Sequence, residues 1–185
     1  MIELDFLGIK LRFTFAFFAL VGLVCQTGAS AQMRVIIVII CSVMHEAGHI
    51  AAMCFFGHRP DSLTFCAGGI CLPEKALNCS GKARAIILLS GCAVNFITAA
   101  VSVLLGYKGM FAAVHLILGV FNLLPFRYFD GGRLYSELKG REVGTAVKAA
   151  SLLPLACIGV YSVLNGKIPL SLIAAVILIL LDGRS

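Results

Sequence analysis

Charge is what this chain has least of. Only 13% of its 185 residues are Asp, Glu, Lys or Arg, and 60% are hydrophobic, with a mean hydropathy of +1.00. A soluble domain carries about 25% charged residues, so an ordinary water-soluble globular protein is excluded and an integral membrane protein is expected. Long basic tracts and aromatics interleaved with basic residues are also missing, so the formal net charge of +6 does not point to nucleic acid. There is no close C-x-x-C pairing. Cys25, Cys41, Cys54, Cys92 and Cys157 lie in apolar runs, where a thiol packs as a small hydrophobe. Cys66, Cys71 and Cys79 share a loop without the spacing of a structural zinc site. Internal repeats, low-complexity tracts and flexible linkers are absent too, and residues 1–185 read as one membrane-embedded domain.

What is present is a series of apolar runs, at 13–25, 35–56, 85–106, 111–124, 146–164 and 168–181. Against the roughly 20 residues that a helix needs to cross the hydrocarbon core, these predict an all-α polytopic protein of about six transmembrane helices. Lysine and arginine are retained on the cytoplasmic side. With both termini inside, Lys10, Arg12, Arg59, Lys75, Lys82, Arg84, Arg127, Arg133, Lys139, Arg141, Lys148 and Arg184 are cytoplasmic, against Arg34, Lys108 and Lys167 outside. The start of the chain mimics a cleavable secretory signal, with Lys10 and Arg12 before an apolar run and Ala29, Ser30 and Ala31 after it. Glu3 and Asp5 occupy the would-be basic region, so the segment is expected to be retained as the first span.

In the second run stands His45-Glu46-Ala47-Gly48-His49. On a helix, positions i and i+4 share a face, so both imidazoles can reach one ion while Glu46 lies near a water on it. An ionisable residue at bilayer depth costs about 2.5–3.5 kcal/mol on insertion scales, and so calls for a partner or a hydrated cavity. A zinc site meets that need. After this run, residues 61–70 are rich in β-formers and close on Gly68-Gly69, which predicts a short strand or hairpin, with a surface loop as the alternative. The third run holds Gly91 and Asn95 in a small-residue patch suited to close helix packing, where Asn95 is at least interhelical glue. Pro125, Gly131 and Gly132 should break the fourth helix. The charge pattern puts Asp130 in the same half of the membrane as the histidine pair, where a third ligand is wanted. His58 and His115 read as an interface residue and a packed histidine.

Taken together, these residues resemble the site-2 protease family of intramembrane zinc metalloproteases, in particular its compact bacterial branch, which includes sporulation proteases that process a sigma-factor precursor. The pentad is similar to the family's H-E-x-x-H. Asn122, Pro125, Asp130 and Gly131 fall at its N-x-x-P-x-x-x-x-D-G spacing, Gly91 and Asn95 match two positions of its G-P-x-x-N patch, and residues 63–70 resemble its membrane-associated β-hairpin between spans two and three. Cys92 stands where the patch usually has proline, and Arg127-Tyr128 where many relatives have further prolines. The resemblance implies one Zn2+ per chain held by His45, His49 and Asp130, and Glu46 as the catalytic base. It also implies Asn95 or Asn122 as oxyanion donor, and Leu63, Thr64 and Phe65 as a strand on which unwound substrate pairs. The expected partners are the lipid bilayer, a transmembrane protein substrate and a membrane-bound regulator, since the chain has no room for PDZ or CBS domains. A metal transporter or sensor using the same ligands is the rival reading, and Glu46 discriminates between the two.

Overall fold

The computed structural model describes residues 1–6, 9–15, 28–58, 60, 62–66, 69–71, 81–126, 129–141, 143, 144 and 147. Two compact units are present, Met1–Val120 and Phe121–Ser185.

The first unit begins with β1 (Ile2–Phe6) and β2 (Ile9–Phe13), in which aliphatic and aromatic residues alternate with Glu3, Asp5, Lys10 and Arg12. That period of two is a strand signature. The sequence reading took Lys10 and Arg12 as the flank of a span and missed both strands. β3 (Ser62–Cys66) and β4 (Gly69–Cys71) form the expected hairpin, but it does not stand alone. The sheet order is β1-β2-β3-β4, with β2 and β3 parallel and the outer pairs antiparallel. Phe13 and Phe65 are register partners and their rings stack at 4.6 Å, while the Thr14 amide donates to the Phe65 carbonyl at 2.9 Å. Across β1 and β2, Arg12 donates to Glu3 at 3.0 Å and Lys10 lies 3.4 Å from the other carboxylate oxygen.

Among the described residues, two helices are long and apolar enough to cross a membrane: α1 (Ala29–Phe55) and α2 (Gly81–Leu104). At 1.5 Å per residue they extend about 40 and 36 Å, beyond a hydrocarbon core of about 30 Å. Both end in the same way. Gly57 and Gly106 adopt φ of +78° and +87°, and the next residue's amide reaches back into the helix, His58 to the Met53 carbonyl and Tyr107 to that of Ser102. This is the glycine-dependent Schellman stop. The expected fourth span is a shorter helix, α3 (Met110–Asn122), whose 13 residues cover only about 20 Å and do not cross a bilayer by themselves. The fifth expected span apart from Val147, the whole of the sixth, and all of the first beyond Phe15 lie outside the described residues.

α1 and α2 pack through faces of unusual character. Buried on α1 are Cys41, His45, Gly48, His49 and Met53; on α2, Ala83, Ile87, Leu88, Gly91, Cys92, Asn95, Ala99 and Ser102. Many of the large aliphatics point out, among them Ile36, Ile39, Ile40, Ile86, Ile97 and Val101. Hydrocarbon solvates such side chains as well as a protein core does, so close packing of small groups and internal hydrogen bonds hold the pair together.

In the second unit the chain turns sharply after Asn122. Phe126 is buried, with Phe121, Leu124 and Phe129 packed on it, and the Phe126 amide donates to the Leu124 carbonyl at 2.9 Å. α4 (Asp130–Lys139) follows, starting with an acidic residue, ending with a basic one and closed by Gly140 at φ +64°. Both charges complement the helix dipole. A Cβ on Gly131 would collide with the Leu123 carbonyl oxygen and meet that of Leu124 at 2.8 Å, so this turn requires glycine.

Candidate metal centre

His45 and His49 lie one turn apart on the buried face of α1, each only 4% exposed. Their Nε2 atoms face each other at 3.1 Å and the rings stand nearly perpendicular, at 86°. Glu46 is half-buried, and one ligand atom from each of His45, Glu46 and His49 falls within 4.8 Å of the others. One helical stretch thus gathers two ring nitrogens and a carboxylate.

The other side of each ring is tied down. His49 Nδ1 lies 2.7 Å from the Ile87 carbonyl oxygen, which also accepts from Ser90 Oγ at 2.6 Å. A carbonyl only accepts, so in the neutral ring the proton is on Nδ1 and Nε2 carries the lone pair. His45 Nδ1 lies 3.0 Å from the Asn95 amide nitrogen, and the Asn95 oxygen lies 2.9 Å from His115 Nδ1. Such outer partners orient metal-binding imidazoles and fix their tautomers.

Room for this arrangement comes from two glycines facing each other across the helix pair. A Cβ on Gly91 would run into His49 Nε2, meeting His49 Cε1 at 2.6 Å and His45 Cε1 at 2.8 Å. A Cβ on Gly48, inside the pentad, would meet the Ser90 carbonyl and Val94 Cγ2 at 2.8 Å and the Gly91 Cα at 3.1 Å. The backbones therefore approach closely at the level of the histidines.

Other expected site residues are distributed as follows. Asn95 is fully buried with both amide atoms engaged by His45 and His115, so an oxyanion role would require one of those bonds to break. Asn122 is the last residue of α3, and Asp130 is the first of α4 and buried. Leu63, Thr64 and Phe65 pair on one side with Leu11, Arg12 and Phe13, and Thr64 and Phe65 pair on the other with Cys71 and Ile70, which leaves no open edge at Thr64 and Phe65. His115 and the Ile87 carbonyl were not anticipated. A histidine inside an apolar run is itself a signal of a functional site, whereas a carbonyl on a neighbouring helix leaves no trace in sequence.

No protein-family model matches the sequence, and no curated protein sequence matches it significantly. Among solved structures, the site-2 protease from Methanocaldococcus jannaschii is similar over 99% of this chain and 93% of that one, with a TM-score of 0.64 and 19% identity. The chain has the site-2 protease fold. In the site-2 protease fold seen here, the histidine pair sits on a helix able to cross a membrane, as the sequence reading expected.

Proposed function

We propose that the chain is a zinc-dependent intramembrane endopeptidase that hydrolyses a peptide bond in or near the transmembrane segment of a membrane-protein substrate. The observation that carries this reading is the convergence of two ring nitrogens and a carboxylate on a bilayer-length helix. Two neutral imidazoles with a carboxylate are a donor set suited to zinc, and Gly91 lets the neighbouring backbone pass the imidazoles without a side chain against them. His45, His49 and Asp130 would hold it. When bound, zinc supplies Lewis acidity toward water and the scissile carbonyl.

Glu46 does the proton work. Next to His45 and half-buried, it accepts the proton of the attacking water and returns it to the leaving amine. Asn122, at the end of α3, is the second candidate oxyanion donor beside Asn95. The substrate helix must unwind, because an intact helix shields every carbonyl, and helix-breaking residues should mark good substrates. The rest of the assignment, with substrate, regulator and cytoplasmic orientation, extends the resemblance described under the sequence.

Coexpression with candidate single-span proteins tests the proposal. The natural chain should process one of them, Glu46→Gln should retain zinc with cleavage reduced at least about 1,000-fold, and Asp130→Ala should lose both. Metal flux without proteolysis would identify a transporter instead.

A further inference from the structure

His115 is left unexplained by the proposed chemistry. It is fully buried on α3, its ring packs edge-on with Phe111 at 4.6 Å, and it spends one nitrogen on Asn95. Among the described residues its Nε2 is the buried side-chain polar atom without a hydrogen-bond partner. α3 approaches closely enough for this contact because Gly119 carries no side chain: a Cβ there would meet Phe96 Cε1 at 2.9 Å and Asn95 Cβ at 3.3 Å.

The contacts form a line: His115 Nδ1, Asn95 amide, His45 Nδ1, His45 Nε2, His49 Nε2, Ile87 carbonyl. Only the last member has a fixed polarity. If the two Nε2 atoms share a hydrogen bond, His45 Nε2–H donates to His49. His45 Nδ1 then accepts from the Asn95 NH2 group, and the Asn95 oxygen accepts from His115 Nδ1–H. If instead both Nε2 lone pairs bind a cation, the His45 proton must move to Nδ1, which has to donate. Asn95 then presents its oxygen to His45 and its NH2 group to His115, whose Nδ1 must accept, so that its proton moves to Nε2. Side-chain amides present either atom after a half turn. Because nothing among the described residues binds His115 Nε2, its tautomer follows Asn95 alone.

We propose that Asn95 and His115 form a polarity relay behind the metal centre, in which cation binding turns the Asn95 amide and transfers the His115 proton from Nδ1 to Nε2. His115 is thus a positioning residue for His45 across two helices. The two proton shifts are internal to each ring, so this line of residues neither releases nor takes up a proton. The inference rests on the reading of His45 and His49 as metal ligands.

The full chain, labelled with 15N-histidine in detergent micelles, tests it by histidine nitrogen spectra before and after one equivalent of Zn2+, with His115 assigned by its loss in His115→Gln. The expected result is that His115 Nδ1 changes from a protonated to an unprotonated signal while Nε2 changes the opposite way. In Asn95→Asp the carboxylate accepts from both rings, so His115 should keep its proton on Nδ1 with or without zinc. His115→Leu should weaken zinc binding about 10- to 100-fold, the usual effect of losing an outer partner, and His115→Gln should restore most of it. Zinc-dependent changes at His45 and His49 with an unchanged His115 would overturn the relay and leave the metal reading intact. Absence of any zinc response at His45 and His49 would overturn both. Full zinc affinity in His115→Leu would also overturn the relay.

Discussion

The helix pair and the sheet of the first unit use opposite rules. The sheet resembles a piece of soluble protein: aromatic rings stack between strands, and charged residues such as Glu3, Lys10 and Arg12 lie outward and pair across the surface. In α1 and α2 the order is reversed, with histidines, an asparagine, cysteines and glycines inside and isoleucine, leucine and valine outside. The reversal shows that polar groups can be the interior of a stable element when the surroundings are hydrocarbon and each group has a partner. It also concentrates the chemistry where packing tolerates least change.

If that contrast is correct, substitutions of similar size should have very unequal effects. The largest is expected at Gly91. Gly91→Ala places a methyl against both imidazoles, and zinc content after purification should fall below one tenth of the natural value, with cleavage undetectable. Next comes Gly48→Ala, which forces the two backbones apart at a carbonyl that cannot yield. Its cost should be about 1–3 kcal/mol, read from unfolding in mixed micelles, with weaker zinc binding as a secondary effect. On the sheet, Phe65→Ala removes a stacked, part-buried ring and should cost about 1–3 kcal/mol in local stability, read by hydrogen exchange of β2 and β3. Zinc affinity in that variant should be unchanged, and a loss comparable to that of Gly91→Ala would erase the distinction between the two regions.

The smallest effect belongs to Glu3. Its hydrogen bond from Arg12, helped by the nearby positive charges, holds the carboxyl below the usual carboxylate range. A carboxyl with a lowered folded value stabilises above its unfolded value and loses that contribution as pH falls through the folded one. The pair is exposed, so water and salt screen it. Glu3→Gln should therefore leave the melting temperature at neutral pH nearly unchanged, while flattening any acid-side decline in sheet protection that the natural chain shows.

Much of the site was legible because its signals are local. The pentad fixes two imidazoles on one helical face, Pro125 and the following glycines end α3 before α4 begins, and the β-forming stretch before Gly69 folds as a hairpin. The sheet was less legible because pairing is non-local. Alternation in residues 2–6 and 9–13 marks strands, but a charge-based reading assigns Lys10 and Arg12 to a membrane flank, and nothing in residues 62–66 announces that their other neighbour lies about 50 positions earlier. For the same reason the pairing of Thr64 and Phe65 on both sides is not visible in the sequence. His115 was set aside as a packed residue because its significance lies in Asn95, twenty positions away on another helix.

The parallel bond between β2 and β3 carries a rule of parity. Two strands joined edge to edge share one side of the bilayer, yet α1 lies between them in the chain and is long enough to traverse it. A single passage would strand the partners on opposite faces. If α1 crosses the bilayer, a second crossing between Phe13 and Ser62 is required to keep the paired strands together, and tags placed just before Ile2 and just after Cys71 should then report from the same compartment.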